Sequence, residues 1–309
     1  TAVNNTLTVT TAGGLVTQLQ GGTVTGVEFV AADLLGGADT LDFSNNTVAN
    51  AVNVNLVAGT ATGFSSIANI ENVNGGAGGD TIFGSDLANV INGNNGDDVI
   101  TGGAGNDTIT GGAGNDRFIA TIGDGNDSYN GNGGIDTLDL SGTTAGATIN
   151  LVAGTASSAQ IGTDTLANIE NIIGSTGNDV ITANNAPHVF TGGLGADRFV
   201  FNSAAAAGNG ATRDIIRDFL SGTDKIDVSA FDSNRANGGV QHWTFDGLKD
   251  GGEAVGHIGY HYEMVGLVEY TVLEGNVLRP LGLPDNVIDF QIALEGHLTP
   301  VATDILGGP

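Results

Sequence analysis

A nine-residue repeat limits what this chain can fold into more than any other feature of its sequence. Residues 75–119 read, in consecutive nines, GGAGGDTIF, GSDLANVIN, GNNGDDVIT, GGAGNDTIT and GGAGNDRFI. After a slip at Ala120 and Thr121, the repeat resumes over residues 122–139 as IGDGNDSYN and GNGGIDTLD. Each unit follows the template G-G-x-G-x-D-x-U-x, in which U is a large apolar residue. A disordered acidic linker would not place an apolar residue two positions after every Asp or Asn.

The template predicts an all-β chain whose main part is a parallel β-roll, a form of β-solenoid. The turn half of each unit needs positive φ angles, which glycine adopts without the cost of a Cβ atom. The other half is a short strand whose central side chain points inward. Two units complete one coil, so every second strand stacks and two parallel sheets form. The expected inward residues are Ile82, Ile91, Ile100, Ile109, Phe118, Tyr129 and Leu138.

The same stacking predicts calcium sites between neighbouring turns. Calcium takes about six to eight hard oxygen ligands, and glycine-rich turns expose carbonyl oxygens beside the position-six side chains. Several calcium ions are therefore expected, in one row on each side of the roll. The first row holds Asp80, Asp98, Asp116 and Asp136, and the second holds Asn89, Asp107 and Asp127. The other candidate ligands, at turn positions one and three, are Gly75, Ala77, Gly84, Asp86, Gly93, Asn95, Gly102, Ala104, Gly111, Ala113, Asp124 and Gly133.

A second, shorter block covers residues 174–200 and reads GSTGNDVIT, ANNAPHVFT and GGLGADRFV. Its first and third units are expected to share a calcium ion. The middle unit carries His188 at position six, and imidazole is a poor calcium ligand. That position is therefore expected to have lost its ion. The candidate ligands of this block are Gly174, Thr176, Asp179, Gly192, Leu194 and Asp197.

The segments around the first block are duplicated. GGADTLDFS, VNLVAGTA and ANIEN, from residues 36–72, return as GGIDTLDLS, INLVAGTA and ANIEN within residues 133–171. Asp39 lies at position six of an imperfect unit, where a weak calcium site and a purely structural turn are both open. We expect N-terminal solenoid coils over 1–74, the first β-roll block over 75–139 and a duplicated β spacer over 140–173. The second block over 174–200 and a β-rich C-terminal cap over 201–309 complete the predicted organisation.

Charge and composition narrow the classes of partner. The net charge is −26, from 34 acidic and 8 basic residues. Such self-repulsion disfavours a compact chain unless cations neutralise it, and it argues against nucleic acid and anionic membranes as partners. The chain has no cysteine and therefore no disulfide. If it is an extracellular domain, bound metal is expected to stabilise it instead. No transmembrane segment or signal peptide is predicted. The start without Met leads us to expect a piece of a longer chain.

The nonapeptides resemble those of the repeats-in-toxin (RTX) proteins of Gram-negative bacteria. The stretch RDIIRDFLSGTDKIDVSAF, residues 213–231, is similar to the segment that follows the β-roll in serralysin-type C-terminal domains. DNVIDFQIALEGHLTPVATDIL, residues 285–306, is similar to the end of those domains. The resemblance implies export through a type I secretion apparatus, guided by an uncleaved C-terminal signal within the cap. It also implies that the chain folds on calcium outside the cell.

Two hypotheses from different classes remain open. In the first, the chain is a calcium-binding secretion module from a large surface adhesin, surface-layer protein or secreted exoprotein, without activity of its own. In the second, the solenoid itself modifies a polysaccharide, or serves an upstream protease, lipase or epimerase. His257 and His261 lack the glutamate of an HExxH zinc motif, no G-x-S-x-G elbow occurs, and outward Thr residues form no continuous ice-binding rank. Cell-surface polysaccharide and self-association are the remaining candidate partners.

Overall fold

The computed structural model describes residues 6–12, 15–19, 22–23, 30–46, 51–230, 244–248, 257–275 and 290–306. Nearly all of them lie in β-strands or turns, which confirms the all-β prediction. The chain divides into two compact units. Unit 1 comprises residues 1–143 and 155–169, and unit 2 comprises residues 144–154 and 170–309. This division differs from the five segments expected from the sequence, which stay a prediction. Parts of the first and last of those segments lie outside the described residues.

The strands are mostly three to six residues long, because each carries only one or two inward side chains. The first sixteen are β1 Thr6–Ala12, β2 Leu15–Leu19, β3 Gly22–Thr23, β4 Val30–Asp33, β5 Thr40–Asp42, β6 Asn53–Asn55, β7 Thr60–Ala61, β8 Phe64–Ala68, β9 Asn72–Asn74, β10 Thr81–Ser85, β11 Val90–Asn95, β12 Val99–Gly103, β13 Thr108–Ala113, β14 Arg117–Ile119, β15 Ser128–Gly133 and β16 Thr137–Asp139.

The remaining elements are β17 Thr148–Asn150, β18 Thr155–Ser158, β19 Gly162–Ala167, β20 Asn171–Ile173, β21 Val180–Thr182, β22 Val189–Thr191, β23 Arg198–Val200, helix α1 Ala204–Ala207, β24 Asp214–Ile216, β25 Lys225–Asp227, β26 Thr244–Leu248, β27 His257–Val265, β28 Val268–Gly275, β29 Phe290–Glu295 and β30 Ile305–Leu306. Short 3-10 turns cover Gly210–Thr212 and Ala302–Asp304. No helix among the described residues is long and apolar enough to cross a membrane.

Two parallel ladders of strands build unit 1. One runs in the order β1, β5, β9, β11, β13, β15, β19, and the other in the order β6, β10, β12, β14, β16. In the second ladder Ile82 pairs with Ile100 and Ile100 with Phe118, which is the register of every second nonapeptide. Across the slip, Ile109 pairs with Tyr129 in the first ladder. The predicted stacking of two parallel sheets is therefore confirmed.

The narrow space between the two ladders is the apolar core. All seven expected inward residues are at most 1% exposed. The rings of Phe118 and Tyr129 are 5.6 Å apart, so the aromatic residues meet across the core near the slip. Most residues on either side of the inward positions are half-buried or exposed, such as Val90, whereas Thr101 and Asp139 are buried. The core is one side chain wide, and each coil contributes about one residue to each sheet.

Unit 2 continues the same coiling beyond the point where the nonapeptides end. Phe199 of β23 pairs with Ile226 of β25, and Ile226 pairs with Ile305 of β30. In the other ladder β22 pairs with β24, and β24 with β29. The antiparallel strands β27, β28 and β29 then adjoin this ladder. The cap is thus built onto the solenoid by main-chain pairing, which covers an apolar end that a solenoid would otherwise expose.

The one-residue-wide core predicts a large effect of shortening a single inward side chain. Ile100 lies between Ile82 and Phe118, and its replacement in Ile100→Ala is expected to cost about 2–5 kcal/mol of unfolding free energy. The matched change Val90→Ala, at a side chain 55% exposed, is expected to cost about 0.5 kcal/mol or less. Urea unfolding of both variants in excess calcium, followed by circular dichroism, measures the difference. Equal midpoints for the two variants would contradict this picture of the core.

Candidate metal-binding turns

One row of position-six aspartates links the turns along one side of unit 1. The main-chain N–H of Asp80 donates to Oδ1 of Asp98 at 2.6 Å, and that of Asp98 donates to Oδ1 of Asp116 at 2.9 Å. The N–H of Asp116 donates in turn to Oδ1 of Asp136 at 2.7 Å, across the slip. Each carboxylate therefore receives a hydrogen bond from the coil before it. The row runs in the order expected from the sequence.

The second row lies on the other side of unit 1 and extends further than the sequence indicated. The N–H groups of Asn89 and Asp107 donate to Oδ1 of Asp107 and Asp127, each at 2.8 Å. The N–H of Asp127 then donates to Oδ1 of Asp164, also at 2.8 Å. Asp164 lies in the spacer, outside both repeat blocks. At the N-terminal end of this side, the N–H of Asp39 donates to Oε2 of Glu71 at 2.8 Å, so a glutamate takes the position-six role there.

Unit 2 carries its own row. Asp179 donates from its N–H to Oδ1 of Asp197 at 2.9 Å, and Asp197 donates to Oδ1 of Asp224 at 3.0 Å. On the other side, the N–H of His188 donates to Oδ1 of Asp214 at 2.7 Å, and its Nδ1 lies 3.1 Å from the same oxygen. The His188 ring stacks on Phe190 at 5.2 Å. His188 therefore packs into the core and pairs with one carboxylate.

Several of these aspartates keep one buried oxygen without a hydrogen-bond donor. The oxygen is Oδ2 in Asp98, Asp107, Asp116 and Asp197. Each of these side chains is at most 2% exposed. A buried carboxylate oxygen without a partner is costly, and either a proton or a bound cation would offset that cost. This donor set fits calcium, which prefers carboxylate and carbonyl oxygens.

The glycine at position one is the reason that this oxygen can sit inside the turn. A Cβ atom built on Gly102 would collide with Oδ2 of Asp107, and one on Gly111 would collide with Oδ2 of Asp116. The same is true of Gly93 with Asp98 and of Gly192 with Asp197. Position-one glycine therefore opens the space that the carboxylate oxygen faces. Two positions of the template therefore determine this geometry: the acid at position six and the glycine without a side chain at position one.

Burial raises the pKa of the row carboxyls well above the ordinary value of 3.8. Burial is the largest cause for Asp98, whose pKa rises to about 8 with further contributions from the charges of Asp80 and Asp116. The pKa values of Asp107 and Asp116 rise to about 6, again because of burial. In unit 2 burial raises the pKa of Asp197 to about 7. The folded turns thus hold their negative charges at a high cost when no cation accompanies them.

The two leading aspartates of the blocks differ from those in the middle. Asp80 accepts hydrogen bonds on both oxygens, from the N–H groups of Val52 and Gly76 at 2.7 and 2.6 Å. Asp179 accepts from the N–H groups of Ala147 and Ser175 at 2.6 and 2.7 Å. Main-chain donors therefore already satisfy these carboxylates. The strongest case for ion binding lies at the interior positions of each row.

The predicted carbonyl ligands fall into two groups. The position-one glycines of both blocks are buried next to the carboxylates. The position-three residues are exposed or half-buried, with Leu194 71% exposed, except for Asp124, which is buried. The carbonyl oxygen of Gly75 accepts a hydrogen bond from the Asn94 amide at 2.8 Å. Within the described residues no three His, Asp or Glu side chains converge as in a transition-metal site. An ion here needs main-chain oxygens, so the individual ligands stay a prediction.

The aspartates that the repeat template missed share a shorter signal. Asp164 and Asp224 each lie two residues after a glycine and two residues before a buried apolar side chain, in Gly162–Leu166 and Gly222–Ile226. Asp214 shares only the second half of this pattern, with Ile216 as the buried residue. G-x-D-x-U is the core of the nonapeptide without its first three residues. A search for this shorter pattern would have extended the rows from sequence alone.

Comparison with known protein families agrees with this geometry. The model for the RTX calcium-binding nonapeptide repeat matches residues 83–118, and the model for the C terminus of serralysin, a peptidase M10, matches residues 127–256. The chain carries RTX repeats and a serralysin-type C-terminal region. RTX repeats bind calcium, and both matched models describe non-catalytic parts of such proteins. The resemblance seen in the sequence is confirmed.

Curated relatives of this chain include two proteins named serralysin. The one from Photorhabdus luminescens is 44% identical over 40% of this chain and 30% of its own length. The one from Photorhabdus laumondii subsp. laumondii is 45% identical over 54% of this chain and 35% of its own length. The chain thus spans about a third of the curated relatives that it matches. Among solved structures, the AlgE6R3 subunit of the Azotobacter vinelandii mannuronan C5-epimerase matches at 19% identity, covering 76% of this chain and 79% of that one, with a TM-score of 0.17.

The raised pKa values predict that acid partly replaces calcium. A carboxyl whose pKa rises on folding favours the folded state below its ordinary pKa of 3.8 and loses that contribution as the pH passes through about 6–8. In chelator, β structure is therefore expected to be greater near pH 5 than near pH 8. Circular dichroism across this window measures it. A β signal in chelator that increases from pH 5 to pH 8 would be the opposite result.

The space left by position-one glycine predicts a strong effect of a single methyl group. In Gly102→Ala the new Cβ collides with the Asp107 carboxylate, with an expected loss of about 1–3 kcal/mol of stability and a higher calcium midpoint for folding. Gly142→Ala is the matched control, because nothing lies within 4 Å of a Cβ at that glycine. Calcium titrations of both variants by circular dichroism provide the measurement. Indistinguishable titrations would show that the glycine is not required for the site.

Proposed function

We propose that this chain is an extracellular module that folds when calcium binds between its stacked RTX turns. The observation that carries the proposal is the set of buried aspartate oxygens without donors in the two rows of unit 1 and the row of unit 2. Asp98 and Asp116 keep such an oxygen one coil apart, and in both of them, as in Asp107 and Asp197, it faces a position-one glycine. Such a periodic arrangement is suited to a series of hard cations. Packing of an isolated buried acid does not account for it.

Calcium supplies the positive charge that the buried carboxylates lack. The residues of this chain do the rest. The Oδ1 atoms fix the spacing of the coils through main-chain hydrogen bonds, and the Oδ2 atoms are held inside the turns as ligands. Because the strands are too short to be stable alone, the turns must be neutralised before the strands can stack. Metal binding and folding are therefore one equilibrium.

This coupling suits a protein that is exported unfolded. The serralysin-type C-terminal region supports secretion, and the resemblance to RTX proteins supports a type I apparatus as the route. In a compartment poor in calcium, the charge of −26 keeps the chain expanded. Outside the cell, sites of the extracellular class, with dissociation constants of about 10⁻⁴–10⁻³ M, would fill. The chain then folds only after it has left the cell.

The proposed module has no catalytic activity of its own and serves a larger secreted protein. An adhesin, a surface-layer protein and an exoenzyme are all compatible hosts, and the relatives named serralysin favour a secreted protein. The two histidines on β27 support a structural role. Nδ1 of His257 lies 2.9 Å from the Asp246 carboxylate, and Nδ1 of His261 lies 3.5 Å from Glu274. Each histidine pairs with a different acid, so the two do not share a zinc-like centre.

Removing one interior carboxylate tests the proposal. Asp107→Asn keeps the Oδ1 acceptor for the Asn89 N–H but removes the charge and the second ligand oxygen. We expect a low β signal in EDTA for the native chain, a cooperative gain on adding calcium, and a higher calcium midpoint for Asp107→Asn. Circular dichroism during a calcium titration measures both midpoints.

Asp97→Asn is the matched control for that titration. Asp97 is exposed, and its Oδ1 accepts the N–H of Asn115 at 2.7 Å, a bond that an amide oxygen can also accept. The two units that follow already carry Asn at this position, as Asn106 and Asn115. The control therefore removes the same charge without touching a row oxygen. A spectrum of the native chain that is unchanged between EDTA and calcium would refute the proposed function.

A further inference from the structure

The slip at Ala120 and Thr121 gathers three carboxylates around one phenol. Tyr129 takes the inward position that Ile, Phe or Leu takes in the other units, and its hydroxyl donates to Oδ2 of Asp127 at 2.9 Å. Asp127 is bonded through its N–H to Asp164. Burial and the charges of Asp127, Asp124 and Asp164 all raise the pKa of the Tyr129 hydroxyl. The three acids therefore lie within electrostatic reach of the same hydroxyl group.

The hairpin formed by β18 and β19 closes over this turn. Gly123 donates from its N–H to the carbonyl of Gln160 at 2.7 Å. Thr163 donates to Oδ1 of Asn126 at 2.7 Å, and Thr165 donates to the carbonyl of Asp127 at 2.8 Å. Gly162, at φ 70°, lies so close to Gly125 that a Cβ atom would collide with the Gly125 carbonyl. The hairpin and the turn thus form one well-fixed structure.

Within this turn and hairpin, two buried carboxylate oxygens have no hydrogen-bond donor. They are Oδ2 of Asp164 and Oδ1 of Asp124, in residues that are 0% and 2% exposed. The other oxygen of Asp124 accepts the N–H of Thr121 at 2.7 Å, which turns the side chain inward. Asp86 occupies the same turn position in an earlier unit, and it is exposed. The inward orientation of Asp124 is therefore particular to the slip.

The internal duplication shows that the spacer does not need an acid at this point. Aligning GFSSIANIEN with GTDTLANIEN places Ser65 of the first copy opposite Asp164 of the second. Ser65 is exposed, whereas Asp164 is fully buried beside the Asp127 turn. An aspartate thus occurs in the copy that meets a carboxylate row. Packing alone would not select a buried acid next to two others.

We propose that a calcium ion binds between the turn 121–127 and the hairpin 158–164, with Asp124 and Asp164 as its carboxylate ligands. Main-chain oxygens complete its coordination, since the side chains alone do not converge on one point. Tyr129 is a positioning residue that holds the Asp127 carboxylate by its second oxygen. This inference rests on the proposed function and deepens it. It adds a site that is made in part by a spacer segment outside the regular repeats.

The test counts calcium ions on the full chain and follows the emission of terbium bound in place of calcium. Asp164→Asn keeps the Oδ1 acceptor for the N–H of Asp127 but removes the charge of one ligand. Asp124→Asn also removes the charge of one ligand, and the hydrogen bond that Asp124 accepts, from Thr121, lies within its own turn. Each is expected to lower the calcium stoichiometry by about one ion, whereas the control Asp97→Asn retains it. Terbium excited through tyrosine reports this site, because Tyr129 adjoins it. Tyr129→Phe is expected to remove part of that emission and to leave the stoichiometry unchanged.

The outcomes separate this inference from the proposed function. If the native chain folds on calcium but both Asp variants bind as many ions as Asp97→Asn, with the same midpoints, the site at the slip does not exist. If Asp164→Asn fails to gain β structure in calcium, the calcium stoichiometry of Asp124→Asn decides alone. A loss of about one ion supports the site, and the same number of ions as in Asp97→Asn rejects it. A native chain that binds no calcium overturns the proposed function itself. Terbium emission that is unaltered in Tyr129→Phe also overturns the placement of the ion.

Discussion

The hydrogen bond from the main-chain N–H of one position-six residue to Oδ1 of the next is the contact on which the turns depend. It fixes the distance between coils, as between Asp98 and Asp116 at 2.9 Å. It also orients the carboxylate so that its other oxygen is buried. The same bond recurs between Asp127 and Asp164 in the spacer and between Asp197 and Asp224 beyond the repeats. The rows therefore continue wherever an aspartate can accept this bond, whether or not the full template is present.

This geometry places negative charge in the interior of the rows, because the carboxylates that accept these bonds are buried. Every added coil buries another carboxylate, so the metal-free fold becomes less favourable as the rows lengthen. Arginine compensates at two places, where Arg117 pairs with Asp139 and Arg198 pairs with Asp227. The first pair joins the unit before the slip to the last unit of the first block, and the second joins the last unit of the second block to β25. Their partners are Asp139 and Asp227 and not the row carboxylates, so these arginines leave the charge of the rows uncompensated.

The residues that depart from the template mark where the rows change character. Asn89 keeps the position without its charge, and its amide donates to the carbonyl of Glu71 at 2.6 Å. His188 replaces the acid and is buried between Phe190 and Asp214. Tyr129 brings a hydroxyl to an inward position that holds Ile, Phe or Leu in the other units of the first block. Each of these side chains carries a hydrogen-bonding N–H or O–H group. In several regular units, by contrast, one oxygen of the buried carboxylate has no hydrogen-bond donor.

The sequence by itself determined the repeat, the inward residues and the order of the two rows in unit 1, because a nine-residue period ties each side chain to a fixed place in its own coil. Strand stacking between Ile82 and Ile100 follows directly from that period. The sequence did not reveal that Asp164 and Asp214 extend the rows as acceptors. It also did not reveal that both oxygens of Asp80 accept hydrogen bonds from main-chain donors. Nor did it reveal that the coiling runs on through Ile226 to Ile305. These features join residues that no constant interval separates, so only the tertiary structure decided them. The physical reason is that a repeat specifies contacts between identical units, whereas its ends, its slip and its spacer are specified by whichever non-repeating segment packs against them.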